Sequence, residues 1–354
     1  MSTLDDASLI DAVDRSQMLA AIGAAADHWR DGAARARAVS LEHIPDHSRL
    51  TNVVVCGMGG SGIAGDVVAL AAAESGSLPV TVVKGSSLPS YTGPHTLVLM
   101  VSYSGDTAET LSCFEQAHAI GSQMIAIATG GRLAEMASAH AFPHVAVAAG
   151  MQPRAAFGYL AGAALAVCER LGVIGDMTAD LVEADELLRE QAAACAPPSA
   201  TAANPAKTIA DALQGVLPVV WGQEGPLAVA AARWKTQLNE NAKVPAYASS
   251  FSELDHNEIV GIGPGSPRGE SLAIVALRSA VEDARMTLRI DATLKVAREA
   301  GCRVVEAAVR GATTIGRLAA AAQLGDFVST YLAVLRSVDP TPVEAIARLK
   351  AELA

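Results

Sequence analysis

Short, wholly apolar runs recur along the chain, each followed by a longer stretch with helical spacing. Residues 52–56, 80–84, 97–101 and 124–129 read as strands, with helices over 62–73 and 107–120. A strand covered by helices on both faces is apolar throughout and does not alternate, so these runs predict a parallel sheet buried on both sides. A largely apolar helix at 155–171, which Gly172 is placed to end, and a more amphipathic one at 179–194 follow. The pattern then restarts, with strands at 217–221, 246–250, 272–277 and 302–307 and helices at 225–243, 284–300 and 315–335. Such alternation predicts an α/β fold of two doubly wound parallel sheets, a degenerate repeat of one module. The Ala-rich first 40 residues add a helix pair expected to pack on the first domain. Residues 195–205, CAPPSATAANP, have the composition of a linker. The expected division is 1–160 for N-terminal helices and first domain, 161–205 for a helical connection and linker, and 206–354 for the second domain and a C-terminal helix.

The first module carries chemistry at its turns that the second lacks. Residues 97–110, LVLMVSYSGDTAET, take a buried strand straight into Ser102, Ser104 and Thr107 and then into a helix. Gly105 permits a tight turn, so that the free N–H groups of the helix start face the same small cup as the hydroxyls. Orphan donors and the positive end of the helix dipole favour an anion such as phosphate. A Ser/Thr-capped helix start without a ligand fits this stretch equally well. The first strand leads into Gly57-Met58-Gly59-Gly60-Ser61-Gly62, which satisfies GxGxxG. Dinucleotide binding also needs an acid at the end of the next strand to hold the ribose, and Val83-Lys84-Gly85 stands there instead. The glycines more simply let the backbone approach a small ligand shared with the cup.

Composition narrows the class of ligand. Across 354 residues, 26 Lys and Arg stand against 37 Asp and Glu, and a net charge of −11 argues against nucleic acid, whose backbone needs a basic face. Hydrophobic content of 51% excludes disorder, and an aromatic share of 4% implies a core of Ala, Val, Leu and Ile. The longest uninterrupted apolar stretch, 155–168, is too short to span a bilayer, and the acidic N-terminus has no signal core. A cytoplasmic chain with no membrane partner is expected. Cys56, Cys113, Cys168, Cys195 and Cys302 form no CxxC pair and the eight histidines show no HxH or HExxH spacing, so no metal is expected.

Six segments in register carry a more specific signal: GMGGSGIAGD (57–66), SYSGDTAET (102–110), QPR (152–154), LNENAKVPAY (238–247), LDHNEIVG (254–261) and DPTPVEAIARLK (339–350). Together they resemble the bifunctional phosphoglucose/phosphomannose isomerases of the sugar isomerase (SIS) superfamily. The resemblance implies two SIS-type domains with helical N- and C-terminal additions, a homodimer, and a metal-independent aldose-ketose isomerase without a cofactor. Its implied reaction interconverts glucose 6-phosphate, and mannose 6-phosphate, with fructose 6-phosphate through a cis-enediolate. By position, the resemblance assigns Gly60, Ser61, Ser102, Ser104 and Thr107 to the substrate phosphate. It makes Glu240 the proton-transfer base, gives Arg154 the enediolate, and gives His256 and Lys350 ring opening. A non-catalytic SIS module that senses a phosphosugar is the alternative, and a dehydrogenase the more distant one.

These residues can be weighed without the family. On the helix expected at 225–243, Leu227, Ala231, Trp234 and Leu238 share one face, and Glu240 lies about 150° from it, off the core. The dipole at a helix C-terminus opposes a negative charge, which suits a base that must return its proton. Thr341-Pro342-Val343-Glu344 reads as a capping box, so the last helix should start there. Val343, Ile346, Leu349 and Leu353 are then its buried stripe, with Lys350 within about 60° of the centre, either snorkelling outward or pointing at an anion. Arg154 interrupts an apolar region, which requires an ion pair or an anionic ligand. His256, between Asp255 and Asn257, is either an ordinary exposed histidine or a proton carrier working near neutral pH. One position departs from the family, since Asp106 stands beside the cup where Asn is common. Pointing inward it would weaken phosphate binding; as an outward helix cap it would change little.

Overall fold

The computed structural model describes residues 3–263, 265 and 269–353. The chain forms two compact units, one of Ala24–Glu186 and Thr313–Gly316, the other of Met1–Gly23, Leu187–Ala312 and Arg317–Ala354. Two helices, Ala7–Val13 (α1) and Met18–Gly23 (α2), precede Ala25–Ala38 (α3). The first sheet is then built from Asn52–Cys56 (β1), Val80–Val83 (β2), Thr96–Val101 (β3), Gln123–Ala128 (β4) and His144–Ala146 (β5). Gly60–Ser75 (α4), Ala108–Ile120 (α5) and Gly131–Ala139 (α6) connect these strands, and Phe157–Arg170 (α7) and Thr178–Ala194 (α8) follow. The strands are all parallel, in the order β2-β1-β3-β4-β5. Every residue of β1 and β3 is buried, as a strand sandwiched between helices must be. Each such Val or Leu contributes about 1.5–3 kcal/mol by leaving water.

The second sheet repeats the plan. Pro205–Ala212 (α9) leads into Leu217–Gln223 (β6), Pro226–Glu240 (α10), Tyr247–Phe251 (β7), Glu258–Ile262 (α11), Leu272–Ser279 (β8), Ala284–Glu299 (α12) and Arg303–Val309 (β9). Its parallel order is β7-β6-β8-β9. Thr314–Leu335 (α13) and Glu344–Leu353 (α14) complete the chain. Although α13 is long and apolar enough to cross a membrane, 94% of its apolar window is buried in the protein.

Two expectations about organisation are corrected. The helices α1 and α2 group with the second sheet, not the first. Thr201 donates both its N–H and its hydroxyl to Asp5 at 2.7 Å, and Gln323 donates to Ile22 O at 3.1 Å. Residues 195–205 are packed structure and not a loose linker, because Cys195 and Asn204 are fully buried. The segment supplies acceptors to the buried Lys207, whose ammonium donates to Pro197 O at 2.7 Å and Ser199 O at 2.8 Å.

In the first unit, His28 of α3 stacks on Tyr159 of α7 with ring centroids 4.6 Å apart, and its Nδ1 has no hydrogen-bond partner. Burial pulls its pKa below the ordinary 6.5, outweighing the opposite influence of Asp27 and Asp31. The unfolded chain therefore takes up this proton first, so stability is lost as pH falls through the unfolded value and the loss levels off below the folded one. The denaturation midpoint should fall between about pH 7.5 and about pH 5.5, and fall less in His28→Phe, which keeps a stacked ring. Identical pH dependence in the two proteins would remove His28 as the cause.

Candidate functional site

In a doubly wound sheet, ligands gather beyond the carboxyl ends of the strands where the strand order reverses. That point here lies between β1 and β3, which are in register with Cys56 opposite Met100. The turns leaving these two strands are the glycine turn and the hydroxyl cup. A Cβ at Gly57 would stand 2.9 Å from Val101 O, and one at Gly62 only 2.7 Å from Gly57 O. Only glycine therefore lets the start of α4, with Gly60 and Ser61, press against the end of β3.

The cup is assembled from local bonds. Ser102 Oγ and Thr107 Oγ1 lie 2.9 Å apart, and Gly105 N donates to Ser102 Oγ at 3.1 Å. Ser104 Oγ accepts from Asp106 N at 3.2 Å. Thr107 occupies the N-cap of α5 without capping it, and Gly59 at the N-cap of α4 has no side chain to do so. At the start of α4, Ser61 N and Gly62 N already donate to Met58 O at 3.0 and 3.3 Å, whereas α5 starts with no N-cap side chain on its first amides, which favours an anion there over the capped-helix alternative. The carboxylate of Asp106 turns away to accept Arg132 N at 2.9 Å, capping the start of α6. At the end of β2, Lys84 pairs with Asp66 at 2.5 Å, and its stem packs 3.1 Å from a Cβ placed on Gly62. Burial raises the pKa of Asp66 against the pull of Lys84. A cation that already has a partner occupies the position where a dinucleotide site would hold its ribose.

Arg154 joins this group. The residue is 4% exposed, and a Cβ on Gly60 would lie 3.8 Å from Arg154 Cα and 3.7 Å from Pro153 O. The segment bearing Arg154 therefore lies over the glycine turn.

Glu240, His256 and Lys350 belong to the other unit. Glu240 ends α10 and is half-buried. The expected stripe of Leu227, Ala231, Trp234 and Leu238 is buried, and α13 pins the helix end. Trp234 Nε1 donates to Ala321 O at 2.7 Å, Arg233 pairs with Asp326 at 2.7 Å, and Asn241 Nδ2 donates to Ser329 Oγ at 3.0 Å. Just beyond, the Lys243 ammonium donates to Glu240 O and, at 3.1 Å, to Pro340 O, tying the helix end to the approach to α14. Glu240, Lys243, Asp339, Val343 and Ile346 line a cavity of about 620 Å³. His256 ends the 3-10 turn Glu253–His256 and is exposed. That turn is held by the buried Leu254 and by Asp255, which accepts from Thr293 Oγ1 at 2.7 Å and Arg289 Nη1 at 3.3 Å.

Residues 48–173 match the SIS domain family, and residues 202–353 match the bacterial phospho-glucose isomerase C-terminal SIS domain. Over 305 residues the chain is 37% identical to the bifunctional phosphoglucose/phosphomannose isomerase of Caldicellulosiruptor bescii, covering 86% of this chain and 90% of that one. The protein of the same name from Aquifex aeolicus is 35% identical over 303 residues, 85% of this chain and 90% of the relative. The chain belongs to the bifunctional phosphoglucose/phosphomannose isomerase family. A solved structure of a hypothetical protein from Thermus thermophilus shares the fold, with a TM-score of 0.76 over 98% of this chain and 92% of that one at 16% identity.

Within this family member, the last helix departs from expectation. Asp339 accepts Thr341 N at 2.8 Å, and the first helical bonds run from Ile346 and Ala347 to Val343 O, so α14 starts at Glu344 and no capping box forms at Thr341. The stripe is not buried as expected either, since Val343 is only half-buried and Ile346 is 41% and Leu349 56% exposed, while the Leu353 side chain lies outside the described residues. Lys350, also exposed, lies one helical turn beyond Ile346 on the same face. The periodicity is amphipathic, and Val343 and Ile346 face the cavity beside Glu240, but Leu349 is left open to solvent.

One residue escaped the sequence reading. Tyr103 sits between the two cup serines with its ring buried, and its hydroxyl donates to Ala148 O and accepts from Met151 N, both at 3.0 Å. The available signal was a tyrosine after a fully apolar strand, because a buried phenol needs a polar partner.

Proposed function

We propose that this protein interconverts fructose 6-phosphate with glucose 6-phosphate and mannose 6-phosphate. The observation that carries the reading is the hydroxyl cup at the switch point, with the uncapped start of α5 and the Arg154 segment over its glycine turn. Gly60, Ser61, Ser102, Ser104 and Thr107 hold the phosphate. His256 and Lys350 assist ring opening by moving a proton to or from the ring oxygen. Glu240 then takes the proton from C1 of the ketose and delivers it to C2, or the reverse, through a cis-enediolate. The Arg154 guanidinium offsets the negative charge that develops on that intermediate. Delivery to either face of C2 yields either aldose, so one base serves both reactions. The exposed stripe of α14 supports a homodimer in which a second copy covers Ile346 and Leu349. Buried free thiols suit the cytoplasm.

The direct test incubates the purified protein with fructose 6-phosphate and measures both aldose phosphates by coupled assay, with and without a chelator. Formation of both, unaffected by chelation, is expected. Thermal stabilisation by fructose 6-phosphate with neither product formed would support the phosphosugar-sensing alternative instead.

A further inference from the structure

We propose that Tyr103 is a positioning residue that ties the Arg154 segment to the phosphate cup. Its main chain is part of the cup wall, flanked by Ser102 and Ser104, and its carbonyl is held from the end of β4 by Thr129 N at 3.0 Å and Thr129 Oγ1 at 2.9 Å. The phenol reaches in the other direction, to Ala148 O and Met151 N. Those two bonds span the loop that follows β5 and end three residues before Arg154. From Met151 the chain enters a tight turn, in which Ala155 N and Ala156 N donate to Gln152 O at 2.9 and 3.3 Å. One side chain thus links the wall that meets the phosphate to the loop that delivers the guanidinium. The ring is 6% exposed, so no water competes easily for the two bonds. Burial also raises the phenol pKa, which keeps it protonated and able to donate. The inference rests on the enediolate reading of Arg154, and it adds that the wall of the cup also fixes where the loop bearing that residue sits.

Tyr103→Phe removes only the hydroxyl. The expected result is a fall in kcat of about tenfold or more, with KM for fructose 6-phosphate and the competitive inhibition constant of inorganic phosphate changed less than about twofold. A double-mutant cycle supplies the readout that simple destabilisation would not move. In an Arg154→Ala background, Tyr103→Phe should cost less than about twofold further, because the residue it acts through is gone. Full additivity, an unchanged kcat, or equal losses in kcat and phosphate affinity would overturn the tether while leaving the role of Arg154 standing. Unaltered turnover in Arg154→Ala alone would overturn both, and so separates failure of the functional reading from failure of this inference.

Discussion

Glu240→Gln should lower turnover of fructose 6-phosphate by about 10²–10⁴-fold, the range a positioned proton carrier supplies, with KM changed little. That loss corresponds to about 3–5 kcal/mol of transition-state stabilisation. The amide matches the carboxylate in shape but takes up no proton at neutral pH. Folding should be spared, because the end of α10 is held by its neighbours: Trp234 on Ala321 O, Asn241 on Ser329, and Arg336 Nε on Ala242 O at 2.9 Å. KM should hold because the residues proposed to hold the phosphate are others, on the turns after β1 and β3. The measurement pairs the coupled assay with exchange of the C1 hydrogen of fructose 6-phosphate into deuterated solvent. Both should fall together. Exchange that persists while turnover is lost would assign C1 deprotonation to another group, and near wild-type turnover would remove Glu240 from the chemistry.

The strands were legible because burial on both faces writes itself as an unbroken apolar run. β1 occupies the expected residues 52–56, and β3 is longer by a single residue at its start. The elements that went unread are those whose stability is borrowed from neighbours. β5 has only three residues at the edge of its sheet, too few to show a period. α9 went unread directly after a Pro-rich segment, although Asn204 caps it and Pro205 opens it, since the Asn-Pro pair that suggests a turn also starts helices. The placement of α1 and α2 was not readable at all. Periodicity reports that a helix has an apolar side, not which partner it meets.

The same distinction divides the site. The cup was legible because its parts lie within six residues, from Ser102 to Thr107, and bond to one another. Asp106 could not be resolved from sequence, since its partner is Arg132 N, 26 residues away. Tyr103 bonds across 45 and 48 residues, beyond any local pattern. Lys350 shares the face of Ile346 on the last helix, but the burial predicted for that face is not met at Ile346 and Leu349, because periodicity reports an apolar side and not what covers it.

Gly105→Ala should be the most damaging single-methyl change in the first unit. Gly105 adopts φ +78, and a Cβ there would stand 1.9 Å from Gly130 O and 2.8 Å from Gly130 C. Both atoms are backbone, so no rotamer change relieves the collision. The turn is also closed on each side: Gly105 N donates to Ser102 O at 3.2 Å, and Leu133 N donates to Gly105 O at 2.9 Å. The left-handed conformation costs a non-glycine residue about 1–2 kcal/mol and forced overpacking about 1–3 more, so a loss near 3 kcal/mol is expected. In a domain of 150–250 residues that corresponds to a fall in Tm of roughly 6–12 °C. Any molecule that does fold must open the turn, which separates Ser104 and Thr107, so KM for fructose 6-phosphate should rise about tenfold or more. Gly121→Ala is the matched control: Gly121 has φ +79 but nothing within 4 Å of its Cβ position, and it ends α5 instead of starting it. Its substitution should cost only the conformational part, about 1–2 kcal/mol, and leave KM unchanged. Equal costs at the two positions would show that the contact with Gly130 gives way freely, and the cup would then owe its shape to its hydroxyl bonds alone.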